Sequence, residues 1–180
     1  MSIHRSHKLG PANGTLSVKT GRTGAVAKVG HDLLLEVGAW QATLELAEDL
    51  SRCRLELSAD STSLRVREGT GGMTEVGEED RANIEQTIGD EVLNGREIAF
   101  RSSACSGEAD HLHFEGELTI AGTTHPLSFD LSVDQSGAIA GSATVRQTDW
   151  GMKPYSTLFG ALKVADEVEV AFAGSLDQSR

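Results

Sequence analysis

Between His111 and Val145 the chain repeats one pattern three times: apolar residues fall on every second position, and a turn ends each run. Leu112, Phe114, Gly116, Leu118 and Ile120 alternate with His111, His113, Glu115, Glu117 and Thr119. Leu127, Phe129, Leu131 and Val133 then alternate with Ser128, Asp130, Ser132 and Asp134, and Ile139, Gly141, Ala143 and Val145 with Ala140, Ser142, Thr144 and Arg146. A two-residue period sends successive side chains to opposite sides of an extended backbone, so each run predicts a strand with one dry and one wet face. The breaks, Ala121 to Pro126 and Gln135 to Gly137, carry the Gly, Ser and Pro that turns require. The segment predicts an antiparallel meander.

The same reading extends in both directions. Met1 to Ala12 is polar and mixed in charge, a loose lead-in, and a strand with Leu16 and Val18 on one face follows Asn13-Gly14. Leu33, Leu35 and Val37, a break at Gly38-Ala39, then Trp40, Ala42, Leu44 and Leu46 predict two strands in a tight hairpin. Cys53, Leu55 and Leu57 make another strand, and Leu64 and Val66 continue or follow it. Glu68 to Gly77 is glycine-rich and predicts a mobile loop that can lie over the interior as a lid. Glu78-Glu79-Asp80 is an acidic start for the single expected helix, with Ile84, Ile88 and Val92 along one side and Asn94-Gly95 as its end. Ile98 and Phe100 resume a strand, and Glu167 to Phe172 supplies a last one with Val168, Val170 and Phe172 inward. The 180 residues therefore predict one all-β domain with one helix. A count of eight to ten strands is enough for a sheet to close into a barrel of about eight.

Gly116-Glu117-Leu118-Thr119-Ile120-Ala121-Gly122-Thr123-Thr124-His125-Pro126-Leu127 resembles the signature hairpin of the YceI-like family, G-[DE]-L-T-[IL]-x-G-x-T-[KRH]-P-[VL]. These are lipocalin-like, polyisoprenoid-binding proteins, and the similarity runs from about Thr23 to about Phe172. A second family motif, R-x-D-[FW]-G-[MI], is matched at Asp149-Trp150-Gly151-Met152, with the arginine shifted to Arg146. The family's R-D-x-H-L element has no counterpart at Glu79 to Ile84. The resemblance implies a lipocalin-like antiparallel β-barrel with a helix beside it and an elongated apolar pocket.

A formal net charge of −11 lacks the basic footprint of a nucleic-acid binder or of a protein held on anionic lipid. The longest aliphatic stretch, Leu33-Leu34-Leu35, is too short for an export signal or a membrane span, so a cytoplasmic protein without stable membrane insertion is expected. Cys53 shares parity with Leu55 and Leu57 and points inward, whereas Cys105 shares parity with Arg101 and Ser103 and points outward. Side chains on opposite faces do not bridge, which suits a reducing compartment.

Alternation alone leaves a hollow interior and a solidly packed one both open, although the small inward Gly141 and Ala143 favour a hollow. If it is hollow, Leu35, Leu44, Phe114, Phe129, Val170 and Phe172 line it. The connection Asp149 to Gly160 carries Trp150, Met152, the only tyrosine (Tyr155) and Phe159, which is unusual for a loop. It reads either as a plug over one barrel end or as a pocket rim, joined there by His31, with Arg146 and Lys153 placed to receive an anionic head group. His111 and His113 share a strand face that could ligate zinc, but Glu115 and Glu117 share it too and no third ligand is fixed. A solvated face without metal is expected. Gly69-Thr70-Gly71-Gly72 lacks the Lys-Ser/Thr of a phosphate loop, and no G-x-S-x-G elbow is present.

The expected function is non-enzymatic carriage of one long apolar ligand, a polyisoprenoid, isoprenoid quinone or fatty-acyl compound, with no cofactor. Two alternatives stand beside it: an enzyme on a lipophilic substrate using His31 or Asp32 as acid or base, and a filled-core interaction barrel that buries its aromatic rim in a homodimer.

Overall fold

The structure, a computed structural model, describes residues 4–25, 27, 31–71, 76–157 and 162–176. Its strands are β1 (His4–Leu9), β2 (Gly14–Thr20), β3 (Arg22–Thr23), β4 (Asp32–Val37), β5 (Trp40–Ala47), β6 (Arg54–Ala59) and β7 (Leu64–Thr70). Helix α1 (Glu78–Thr87) runs into a π-helical turn, Ile88–Val92. Then come β8 (Ile98–Glu108), β9 (His111–Ile120), β10 (Thr123–Val133), β11 (Ala138–Arg146), β12 (Ser156–Thr157), β13 (Leu162–Val164) and β14 (Glu167–Ser175). Among the described residues eleven strands form one antiparallel sheet in the order β1-β5-β6-β8-β9-β10-β11-β14-β2-β4-β7, and β12-β13-β3 form a small second sheet. The expected all-β class with one helix holds, and the large sheet curls into a half-barrel.

The sheet does not close edge to edge as the strand count suggested: β1 and β7 remain its borders. The reason lies in two corners. β4 and β5 are consecutive yet do not pair, so the hairpin expected at Gly38-Ala39 is absent. β4 pairs with β2 and β7, and β5 with β1 and β6. The chain instead turns from one end of the sheet to the other at Gly38-Ala39 and returns between β6 and β7. The two crossings are hydrogen-bonded to each other, Gly38 N–H to Ser63 O at 2.9 Å and Asp60 N–H to Ala39 O at 2.9 Å. Below this junction α1 covers the seam along β7. Glu85 Oε1 accepts the Val66 N–H at 3.0 Å, and Arg81 Nη1 donates to the Val66 carbonyl at 3.2 Å. The helix thus satisfies backbone groups that an exposed edge would offer to another chain.

The amino-terminal lead-in is another correction. His4–Leu9 is a strand paired with Ala42 to Ala47, and Leu9 is buried. The alternation of His7 and Leu9, both turned to the interior, is too short to register beside the surrounding charge. In the meander the β9–β10 turn is only Ala121-Gly122, both at positive φ, so Thr123 to Pro126 belong to the strand. Pro126 is tolerated there because β11 pairs with β10 only from Asp130 onward, leaving the missing N–H without a ladder to serve. Cys105 also departs from expectation. A bulge between Ser102 and Ala104 inserts Ser103, and the shifted parity turns Cys105 inward, where it is buried and free like Cys53. Burial first, and then Cys53 beside it, pushes the Cys105 thiol up to about 11.

Candidate functional site

The concave face of the sheet is apolar, but it is not filled. A cavity of about 390 Å³ lies inside the barrel, lined by alternate residues of nearly every strand. Ile139, Gly141, Ala143 and Val145 of β11 face it, as do Val168, Val170 and Phe172 of β14, which is the alternation seen in the sequence carried into space. Phe129, Val170 and Phe172 point inward and yet are only half-buried: Phe129 meets the Phe100 ring at 5.2 Å and Phe172 the Trp40 ring at 5.5 Å, and the rest of their inner surface borders the cavity. α1 supplies the remaining wall with Ile84, and the π-helical turn adds Ile88 and Val92.

Of the residues expected to line a hollow, Leu35, Leu44, Phe129, Val170 and Phe172 do so. Phe114 does not: it is fully buried and packs behind Phe129 at a ring distance of 6.0 Å, supporting the wall from within the core. The Trp150 connection divides between its two readings. Trp150 is buried outside the cavity lining, its Nε1 donating to the Leu118 carbonyl at 2.7 Å, with the His125 ring 5.0 Å away. Met152 and Tyr155 face the cavity, and Tyr155 is 48% exposed, so it marks where the lining reaches solvent. Phe159 and part of the expected lid, residues 72–75, lie outside the described residues.

The charged candidates stand apart from this interior. Arg146 alternates with the inward Val145 and Gln147, so it sits on the outer face, paired with Glu167 at 3.2 Å. That hydrogen bond, followed by the charge of Asp149, raises its affinity for the proton further. Lys153 is exposed between the inward Met152 and Tyr155. His31 is half-buried and is not part of the lining, and Asp32 pairs with Arg22 at 3.3 Å. His113 Nδ1 lies 2.7 Å from Asp130 and His111 Nε2 3.6 Å from it, and the His113 hydrogen bond holds the Asp130 carboxyl below its ordinary range. No group of three His, Cys, Asp or Glu among the described residues could hold a metal ion, and no helix among them is long and apolar enough to cross a membrane.

Several lining residues escaped the sequence reading. Leu9 was hidden in the supposed lead-in. Gln147 continues the parity of Val145 by one more step, which could have identified it. Asn83 and Thr87 stand one position before Ile84 and Ile88, so the same helical spacing places them beside the apolar stripe.

Comparison with known proteins agrees with this architecture. A family model described as YceI-like domain matches residues 11–176. Burkholderia cenocepacia BcnA superposes with a TM-score of 0.65 at 15% identity, covering 89% of this chain and 94% of that one. A Campylobacter jejuni YCEI protein superposes with a TM-score of 0.57 at 10% identity, covering 81% and 85%. At such identities the solved structures establish the fold alone. No curated protein matches the sequence.

Proposed function

The chain belongs to the YceI-like family, and from that membership together with its hollow interior we propose a non-catalytic binding protein that takes one apolar chain molecule into the barrel. Isoprenoids, isoprenoid quinones and fatty-acyl compounds are the classes that fit. The observation that carries this reading is the half-burial of Phe129, Val170 and Phe172: a barrel kept only for its surface would have filled the space they face. Each Å² of their surface covered by a ligand contributes about 25 cal/mol, so affinity requires few polar contacts. Release from such a site returns the ligand unchanged, which suits sequestration or transport.

Native mass spectrometry of the protein purified from its own host, followed by organic extraction, tests the proposal. A stoichiometric lipophilic adduct is expected. A bare protein mass that stays unchanged after incubation with prenols, quinones and fatty-acyl compounds would overturn it in favour of a filled-core interaction protein.

A further inference from the structure

We propose that Cys53 and Cys105 form an intramolecular disulfide when the chain folds in an oxidising medium, and that the bond ties the Leu50–Arg52 turn to β8 at the end of the barrel beyond the cavity. The first support is placement. β6 and β8 pair as far as Glu56 and Arg101, and one step on the Leu55 N–H meets the Ser102 Oγ at 2.9 Å. Leu55 and Ser102 are both buried, and the next buried residue beyond β6 is Cys53. On β8 the matching place would fall to Ala104 in an unbroken strand, but the extra residue Ser103 passes it to Cys105. The two sulfurs are thereby brought to the same side of neighbouring segments, and Cys53 is one of the groups that, after burial, raise the Cys105 thiol. The parity that sets the cysteines on opposite faces in the sequence does not survive the bulge.

The second support is what surrounds the thiols. Both are free and buried, and the chain has no third cysteine to compete. Cys53 Sγ accepts the Ala47 N–H at 3.4 Å and donates to the Ala47 carbonyl at 3.7 Å, while Cys105 Sγ donates to the Ser106 carbonyl at 3.9 Å. A disulfide gives up only the two weak S–H donations and keeps a sulfur acceptor for the Ala47 N–H. Neither cysteine lines the cavity, whereas Leu55, Leu57 and Ala59 of β6 and Ile98 and Phe100 of β8 do. The bond therefore leaves the binding wall as it is. It closes a loop that carries β6, β7 and α1, and restricting that loop in the unfolded chain stabilises the native state.

With a small-molecule disulfide such as oxidised glutathione as the oxidant, the exchange balances. The thiolate of one cysteine attacks a reagent sulfur and displaces one reagent thiolate, leaving a mixed disulfide. The thiolate of the other cysteine attacks the protein sulfur of that intermediate and displaces the second. The protein thiols together lose two electrons and two protons, and the reagent disulfide becomes two thiols. A buried thiol raised as Cys105 is supplies little thiolate, so the exchange belongs to the folding chain rather than the folded one.

Refolding the reduced, denatured chain in a glutathione redox buffer, followed by thiol titration and peptide mapping without reductant, tests this. A monomer with both thiols consumed, and a peptide joining Cys53 to Cys105, are expected. Its urea midpoint should exceed that of the same chain refolded with reductant, and amide exchange should slow around Leu55 and Ser102. The folded, reduced protein should lose its thiols far more slowly in the same buffer, and equal rates would overturn the restriction to the folding chain. A folded monomer that keeps both thiols, glutathione adducts or linked dimers in place of the internal bond, or an oxidised form with the lower midpoint overturns the proposal itself.

Discussion

Ser102 shows how much of the fold depends on single polar atoms. The bulge beside it lies in the pairing of β8 with β9; on the other side the ladder between β6 and β8 ends at Glu56 and Arg101, and beyond it the buried Ser102 Oγ accepts the Leu55 N–H at 2.9 Å in place of a backbone carbonyl. Ser102→Ala should therefore strand a buried donor and cost about 1–3 kcal/mol in chemical denaturation. Ser103→Ala, at the exposed extra residue, should stay within about 0.5 kcal/mol of the parent. Equal effects of the two would refute this account. Gly116 belongs to the same arrangement, because a Cβ there would stand 2.3 Å from the Arg101 carbonyl and 2.8 Å from the Ser102 Cα. None of this is legible in alternation alone. One inserted residue reverses parity, which is why Cys105 reads as an outward side chain and is buried.

At the scale of elements, the strongly periodic segments were legible and the weakly periodic ones were not. The meander, the last strand and the helix occur where the sequence places them, since an apolar face repeated over eight or more residues has one favourable orientation. β1 has six residues, too few for its pattern to stand out. Its importance can be tested. Deleting residues 1–10 removes Leu9 from the interior and exposes β5 as a new edge, so it should lower stability by at least the roughly 2–5 kcal/mol of a buried Leu→Ala change and promote association. Denaturation midpoints and light scattering check both effects. A loose lead-in would change neither. The corners are different in kind: Gly38-Ala39 satisfies the local requirements of a hairpin, and only the pairing of Gly38 with Ser63 and of Ala39 with Asp60 makes it a crossing.

The whole molecule carries a net charge of −11, and its turns are fastened by carboxylates. Asp49, Asp60, Asp134 and Asp166 each grip both the N–H and the hydroxyl of a Ser or Thr, and those hydroxyl hydrogen bonds are the first cause that holds each carboxyl below 3.8. A depressed native value contributes stability that is present above 3.8 and is lost as pH falls through the native values. Between pH 7 and the isoelectric point near 4.9 the opposite trend applies, because falling net charge relieves self-repulsion. Urea midpoints should therefore rise modestly towards pH 5 and drop steeply below 3.8. A profile flat to pH 3 would contradict this.

By itself the sequence determined the class of the protein: alternation requires strands with one apolar face, and the Gly116 to Leu127 hairpin carries the family resemblance. It also determined most of the wall, because parity assigns Leu35, Leu44, Phe129, Val170 and Phe172 to the face that becomes concave. The tertiary structure alone decided that the space between those faces is empty. Alternation fixes which way a side chain points, but whether another meets it depends on the curl of the sheet and on where α1 closes the seam. For the same reason Phe114 and Trp150, equally apolar in sequence, ended behind the wall while Asn83, Thr87 and Gln147 became part of it.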